Sequence, residues 1–545
     1  MIMKRTAEQP RTTNISMKRP NRNWSLLLAI FALGLIAFHP ALRAQESSKP
    51  AAAPAPQAQD NGTGVVPPGV TLTPAMPGAD APRPFHFPQA ATKTLPNGLR
   101  VFVVSDHDVP GVAAQLVILS AGNLKDPKGM PGIAKMTADM LTQGTQKRSA
   151  QDIAEAIDFV GGSLDASASN DSTTVALSVV KKDLSTGLDL MSDVLLHPAF
   201  SADELDRQRQ QLLSNLTVQY SDPEYLASLV FGRVIYGDSG YGLPDDGTPA
   251  TVKRFDRAQL LKFHDTNYAP DQSLLAFAGD ITPDEAFAAA EKYFGTWQKL
   301  EVAAVAPPTA PAVQGLHIWL IDKPDAVQTQ IRAGKLGIRR NDPNYIPVAV
   351  MNRIFGGGYN SRLNTEVRVK KGYTYGANSS FNPHRYAGSF GVSTYTRTAV
   401  TVQATKLVVD LIDQMSKGDV TPKELAFARD YLAGVYPIQS ETAEQVAQRV
   451  LVVAAYNLPA DYHSTYPDKI RAVTTDQVNQ MAEKYLSAKD LDIVLAGNVS
   501  AFRDELKKQF PDAKYEEIPF DQVDVLAPDL RLPKSASASS VPSRN

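Results

Sequence analysis

Features of this chain recur at a nearly constant distance, and that repetition constrains its fold more than any other property. The strand-like run Val101-Phe102-Val103-Val104 has a counterpart in Ile318-Trp319-Leu320-Ile321, and the next strand, Val112 to Gly122, has one in Val327 to Gly337. A helix over Gly132 to Gly144 matches one over Ile346 to Gly358. The acidic helix start Ala202-Asp203-Glu204-Leu205 matches Pro422-Lys423-Glu424-Leu425. Near each end, a helix closing on Tyr268 or Tyr485 leads to the strands Leu274 to Asp280 and Ile493 to Asn498. Every offset lies between 214 and 220 residues. Matches that keep their order over so long a span point to a duplication, each copy mixing strands with long helices.

The 545 residues leave room for two such cores plus flanking segments. A net charge of -2 carries no basic excess, so a partner with a phosphate backbone is not expected. Cysteine is absent, which removes disulfides, thiol nucleophiles and thiolate metal ligands. Basic residues from Lys4 to Arg22 precede the apolar run Leu26 to Phe38 and the small-residue site Pro40-Ala41-Leu42-Arg43-Ala44. This pattern predicts a secretory signal over 1–44, too short in its apolar part for a stable membrane span, and an exported chain, periplasmic or extracellular. Residues 45–90 are rich in Ala and Pro and are expected to form a disordered tether, as is the tail 529–545. An Ala/Pro/Val stretch at 302–313 separates an N-terminal domain, 91–301, from a C-terminal domain, 314–528.

Three motifs carry a family resemblance: Leu95-Pro96-Asn97-Gly98-Leu99-Arg100-Val101, the helix Gly132 to Leu141 closing on Gly144-Thr145, and Phe263-His264-Asp265-Thr266-Asn267-Tyr268-Ala269-Pro270 leading to Gly279-Asp280. From about Thr94 to Pro528 the chain resembles the pitrilysin/insulinase zinc metallopeptidases, to which the mitochondrial processing peptidase is similar. The resemblance implies an α+β clamshell of two homologous units, each a mainly antiparallel sheet with helices packed on it. In active relatives the first helix carries H-x-x-E-H, which sets two histidines on one helical face around Zn2+ with the glutamate as base. Those positions here read Lys135, Ala138 and Asp139, and the third ligand, a glutamate about 76 residues on, falls at Asn215. A cation, a methyl group and a neutral amide do not make a zinc site. The eight histidines are scattered, with no two at helical ligand spacing. The residues alone suggest that Lys135 and Asp139 form an i,i+4 pair above Ile133, Met136 and Met140.

The family also holds substrate through its C-terminal half, with an arginine at a helix end and a tyrosine seven positions later on the following strand. Arg368 and Tyr375 stand in that register, after Gly356, Gly357 and Gly358. The resemblance implies that Arg368 grips a peptide carbonyl and Tyr375 donates to the oxyanion. An Arg paired with a carboxylate on a helix surface is the plain alternative. The glycines suit a helix C-cap better than a phosphate loop, and a close approach to substrate is their other role. The chain is thus expected to be a subunit without a cofactor of its own, paired with a homologous H-x-x-E-H chain that holds the zinc. Two further possibilities are a non-catalytic scaffold and, third, an independent zinc endopeptidase.

Overall fold

The computed structural model describes residues 85–305, 307 and 314–533. The expected signal segment, the tether up to residue 84, most of the linker and the tail from residue 534 lie outside the described residues.

Each half builds one six-stranded sheet. The first contains β1 (Ala91–Thr94), β2 (Arg100–Ser105), β3 (Gly111–Ile118), β4 (Ser163–Ala168), β5 (Thr173–Val180) and β6 (Ser273–Gly279), in the order β1-β2-β6-β3-β5-β4. The second contains β7 (Leu316–Asp322), β8 (Gln328–Leu336), β9 (Ala377–Pro383), β10 (Gly388–Arg397), β11 (Leu491–Gly497) and β12 (Lys514–Pro519), in the order β12-β7-β11-β8-β10-β9. Five strands correspond one to one, and most pairs are antiparallel. The parallel exceptions are β2 with β6 in the first sheet, and β11 and β12 with β7 in the second. The sheets differ at one edge, where β1 joins antiparallel from the start of the chain and β12 joins parallel from its end.

The middle strands β6 and β11 are buried at every residue, so each sheet needs a cover on both faces. Alternation assigns the two faces to different cores. Leu275 and Phe277 point into the core of their own half. Leu274, Ala276 and Ala278 instead meet Ala447, Val450 and Leu451 from the Ala443–Ala455 helix of the other half. The second sheet returns the arrangement: Ile493 and Leu495 face their own core, while Val494 and Ala496 meet Leu226, Ala227 and Val230 from the Pro223–Tyr236 helix of the first half. Both helices start well, the first with Asp222 as cap and Pro223 at the first position, the second with a Thr442/Gln445 capping box. The halves have therefore exchanged helices and form one body.

Polar ties accompany the exchange. Arg332 of β8 reaches Glu224 at 3.1 Å and Ser228 at 3.2 Å on the visiting helix. Asp171, between β4 and β5, accepts from the Tyr241 hydroxyl at 2.5 Å, from the Arg385 amide at 3.0 Å and from the Tyr456 hydroxyl at 3.3 Å. The packed region also extends beyond the expected bounds. Phe85 stands edge-on to Tyr436 at 5.8 Å and Phe87 lies 4.8 Å from His463, while Leu530 is buried and Arg531 bridges to Val523. Residues 85–90 thus belong with the ordered body, and the C-terminal half runs past 528.

Because each sheet is covered from the other half, unfolding in urea is expected to occur in one transition. Leu451→Ala should cost about 2–5 kcal/mol and speed hydrogen exchange in β6, although Leu451 lies in the other half of the chain. Two separated transitions would contradict the exchange.

Candidate functional site

The Ile133–Leu141 helix is the place where a metal would sit, and its residues are otherwise engaged. Both carboxylate oxygens of Asp126 accept backbone N–H groups at its start, from Gly132 and Ala134 at 2.7 Å each. Burial pushes Asp126 up to about 7 in spite of those two bonds. One turn on, Lys135 Nζ donates to Asp139 Oδ2 at 2.5 Å and lies 3.9 Å from Asp246. Burial raises the Asp139 carboxyl, and Lys135 pulls it back down. Both side chains keep about 30% exposure (29% and 32%), so the pair contributes only a few tenths of a kcal/mol.

Ala138 is wholly buried and offers no base. Asn215 is exposed on the Ala202–Gln219 helix, beside Leu216, which is fully buried. An ammonium already bonded to the neighbouring carboxylate, a methyl group and a neutral amide do not fit Zn2+. Among the described residues no group of three His, Cys, Asp or Glu side chains is placed to hold a metal ion.

The second half presents a different picture. Arg368 sits in a π-helical turn, Thr365–Lys370, which ends at Gly372 with φ +62°. That left-handed glycine lets Gly372 N–H reach the Arg368 carbonyl and Tyr373 N–H reach the Val367 carbonyl, both at 3.0 Å, reversing the chain. Thr396 Oγ1 then holds the Tyr373 carbonyl at 2.8 Å, and Thr394 Oγ1 holds the Gly376 carbonyl at 2.9 Å. Pinned on both sides, the loop turns Tyr375 out, 81% exposed, while Tyr373 packs against the core. Tyr375 stands two residues ahead of β9, not on the strand as the family pattern suggests, because the turn from Gly372 uses up the intervening residues.

Arg368 and Tyr375 line the same cavity, of about 530 Å³. Arg368 has no carboxylate partner among the described residues; the neighbouring Glu366 is taken by Lys370 at 2.6 Å. Its guanidinium lies 4.7 Å from the ring centre of Tyr359, which is 64% exposed.

Gly356, Gly357 and Gly358 line an adjoining cavity of about 400 Å³ that shares Arg368. They do end a helix, Tyr345–Phe355, but without a left-handed residue. Their need for glycine is internal: a Cβ at 356 would stand 2.3 Å from Ser379 Oγ, and one at 358 would run into the guanidinium of Arg353. The Gly356 carbonyl accepts from Ser379 N–H of β9 at 3.0 Å, and the Gly357 carbonyl accepts from Arg353 at 2.6 Å. The glycines thus pack a helix end against an edge strand.

Sequence reasoning missed Gln328, Tyr395 and Arg397, which line the cavity of Arg368 and Tyr375. Gln328 and Arg397 are register partners at the ends of β8 and β10, so only the pairing of strands brings them there. It also missed Asn364, whose amide joins the Tyr359 carbonyl at 2.7 Å to the Ala377 N–H at 3.2 Å and closes the loop around Arg368.

With this geometry in place, the comparisons with known proteins are specific. Residues 100–234 match the family model described as insulinase (peptidase family M16), and residues 254–432 match the one described as peptidase M16 inactive domain. An uncharacterized zinc protease of Mycobacterium leprae (strain TN) is 28% identical over 399 residues, covering 72% of this chain and 88% of that protein. One from Bacillus subtilis (strain 168) is 23% identical over 395 residues, covering 72% and 94%. A crystal structure of a peptidase M16 inactive domain from Pseudomonas fluorescens superposes with a TM-score of 0.70 at 30% identity, covering 75% of this chain and 97% of that one. A protease from Helicobacter pylori gives the same TM-score at 20% identity and shows the shared fold.

A resident Zn2+ supplied at a hundredfold excess over its Kd would add about 2.7 kcal/mol to stability. Here added Zn2+ is expected to leave the unfolding midpoint where it was, and dialysed protein to carry no stoichiometric zinc by mass spectrometry. A metal-dependent rise in the midpoint, removed by a chelator, would contradict the assignment.

Proposed function

This chain belongs to the insulinase (M16) family of peptidases, and from that premise we propose that it is a subunit without zinc chemistry of its own, lending peptide binding and oxyanion stabilisation to an H-x-x-E-H partner. The observation that carries the proposal is an asymmetry within one chain. Lys135, Ala138, Asp139 and Asn215 offer nothing to a metal, while Arg368, free of any described carboxylate, shares a cavity with the outward-facing Tyr375.

The chemistry follows from those two side chains. The forked donors of Arg368 suit a peptide carbonyl. The Tyr375 hydroxyl suits the oxygen that becomes negative as the amide carbon turns tetrahedral, and one such donor is worth about 3 kcal/mol in the transition state. The exposed rings of Tyr359 and Tyr375 stand beside Arg368, where a second chain would cover them. Extended peptides fed to such a site commonly add as an edge strand. We further propose that the chain is exported on its N-terminal signal and works with its partner outside the cytoplasm.

The test is reconstitution. Alone, the chain is expected to cleave no peptide; mixed with an H-x-x-E-H homologue that it co-purifies with, it should give activity. Tyr375→Phe should then lower kcat by about 10²–10³-fold, since its bond forms in the transition state, and Arg368→Ala should raise KM as well. Full activity in both variants would sink the proposal and favour a scaffold.

A further inference from the structure

A third cavity, of about 600 Å³, lies in the C-terminal half between the Pro422–Ile438, Ala443–Ala455 and Tyr462–Ala472 helices, and nothing described so far uses it. Its wall holds two guanidiniums, Arg340 and Arg449, and no Asp or Glu. Five tyrosines line it as well. Arg340 stacks 4.1 Å from the centre of the Tyr345 ring and 5.1 Å from that of Tyr462. Arg449 lies 4.0 Å over Tyr436, which itself stacks on Tyr466 at 4.2 Å.

Neither cation is neutralised there. The ionisable groups facing Arg340 are phenols; its Nη2 donates to the Tyr462 hydroxyl at 3.2 Å, and its Nη1 is buried without a hydrogen-bond partner. Arg449 spends Nε and Nη2 on Gln439, at 2.9 Å and 3.2 Å. His463 adds no counter-charge and no third cation: its Nδ1 accepts from the Tyr436 hydroxyl, its Nε2 donates to the Arg449 carbonyl at 2.7 Å, and burial pushes it down to about 4, leaving it neutral. Two guanidiniums set against aromatic rings without a counter-ion carry a cost, greatest at Arg340, whose Nη1 is buried and unpaired. An anion entering the cavity removes that cost, and the rings favour one that brings an aromatic group of its own.

The cavity also adjoins the site already described. Tyr431 lines it, and the ring of Tyr431 carries the Arg353 guanidinium at 3.5 Å. Arg353 in turn donates to the Gly357 carbonyl, in the wall of the cavity that shares Arg368.

We propose that this pocket binds a peptide carboxylate carried next to an aromatic side chain, with Arg340 and Arg449 as the anion receptors. The ligand class rests on the reading that the chain holds peptides; the pocket's preference for an aromatic anion rests on its own residues. Such a carboxylate comes either from a chain terminus or from an acidic side chain.

Isothermal titration of the full chain with three short peptides tests it: one ending in Phe as the free acid, the same peptide amidated, and the amide with Glu placed before the Phe. The free acid or the Glu-bearing amide is expected to bind at least about tenfold more tightly than the plain amide, as one lost charge-assisted bond implies. Binding of the free acid alone assigns the chain terminus, and binding of the Glu-bearing amide assigns a side chain. Arg449→Gln should weaken that binding about tenfold, with Arg449→Lys recovering part of it; Arg340→Gln should do the same where circular dichroism shows it folded. Arg368→Ala should leave the preference for a carboxylate-bearing peptide over the plain amide unchanged, which separates failure of the pocket from failure of the catalytic partnership. No binding of either carboxylate-bearing peptide, equal binding of the plain amide, or undiminished binding in Arg449→Gln overturns the proposal.

Discussion

Two sheets with apolar residues on both faces of their middle strands cannot be completed by their own half of the chain, and the rest of the molecule follows from how that is resolved. β6 and β11 each bury one face against local helices and the other against a helix on loan from the opposite half. The loan is mutual, so neither sheet is complete until both halves have folded. Arg332 with Glu224, and Asp171 with Tyr241, Tyr456 and Arg385, add polar specificity to an apolar lock. The Ile133–Leu141 helix and the Arg368 loop are thereby held on one frame.

That frame explains how the first site changed without loss of the fold. The Ile133–Leu141 helix still packs through Ile133, Met136 and Met140, and Asp126 still caps it. Lys135 and Asp139 satisfy each other within a single turn of that helix. In the second half the loop bearing Tyr375 is fixed by Gly372, Thr394 and Thr396, the loop before Arg368 is fixed by Asn364, and the two side chains line one cavity.

Much of this was legible in the sequence, and what was not had physical reasons. The duplication set the order of strands and helices, because periodicity and caps are local. The lost zinc pattern could be read from single positions, since ligand chemistry depends on residue type. The exchange of helices could not be read in the same way: the unbroken apolar run Leu274 to Ala278 shows that two faces are buried, yet which helix covers the second face is decided more than 160 residues away. The glycine run was legible as a helix end, but its tight fit against Ser379 and Arg353 depends on strand placement. The aromatic pocket gathers Arg340 and Arg449 from distant segments, so no motif announces it.

The proposed partnership has the second half of this chain contribute to a peptide-cleaving site completed by another subunit. The most direct measurement places a photo-crosslinking phenylalanine at Tyr359, whose ring lies 4.7 Å from the Arg368 guanidinium, and irradiates the chain with a labelled peptide, with and without an H-x-x-E-H partner. The label is expected to be captured at this position, with capture rising sharply once the partner is bound. A complex that cleaves the peptide while this position captures none of it would contradict the account.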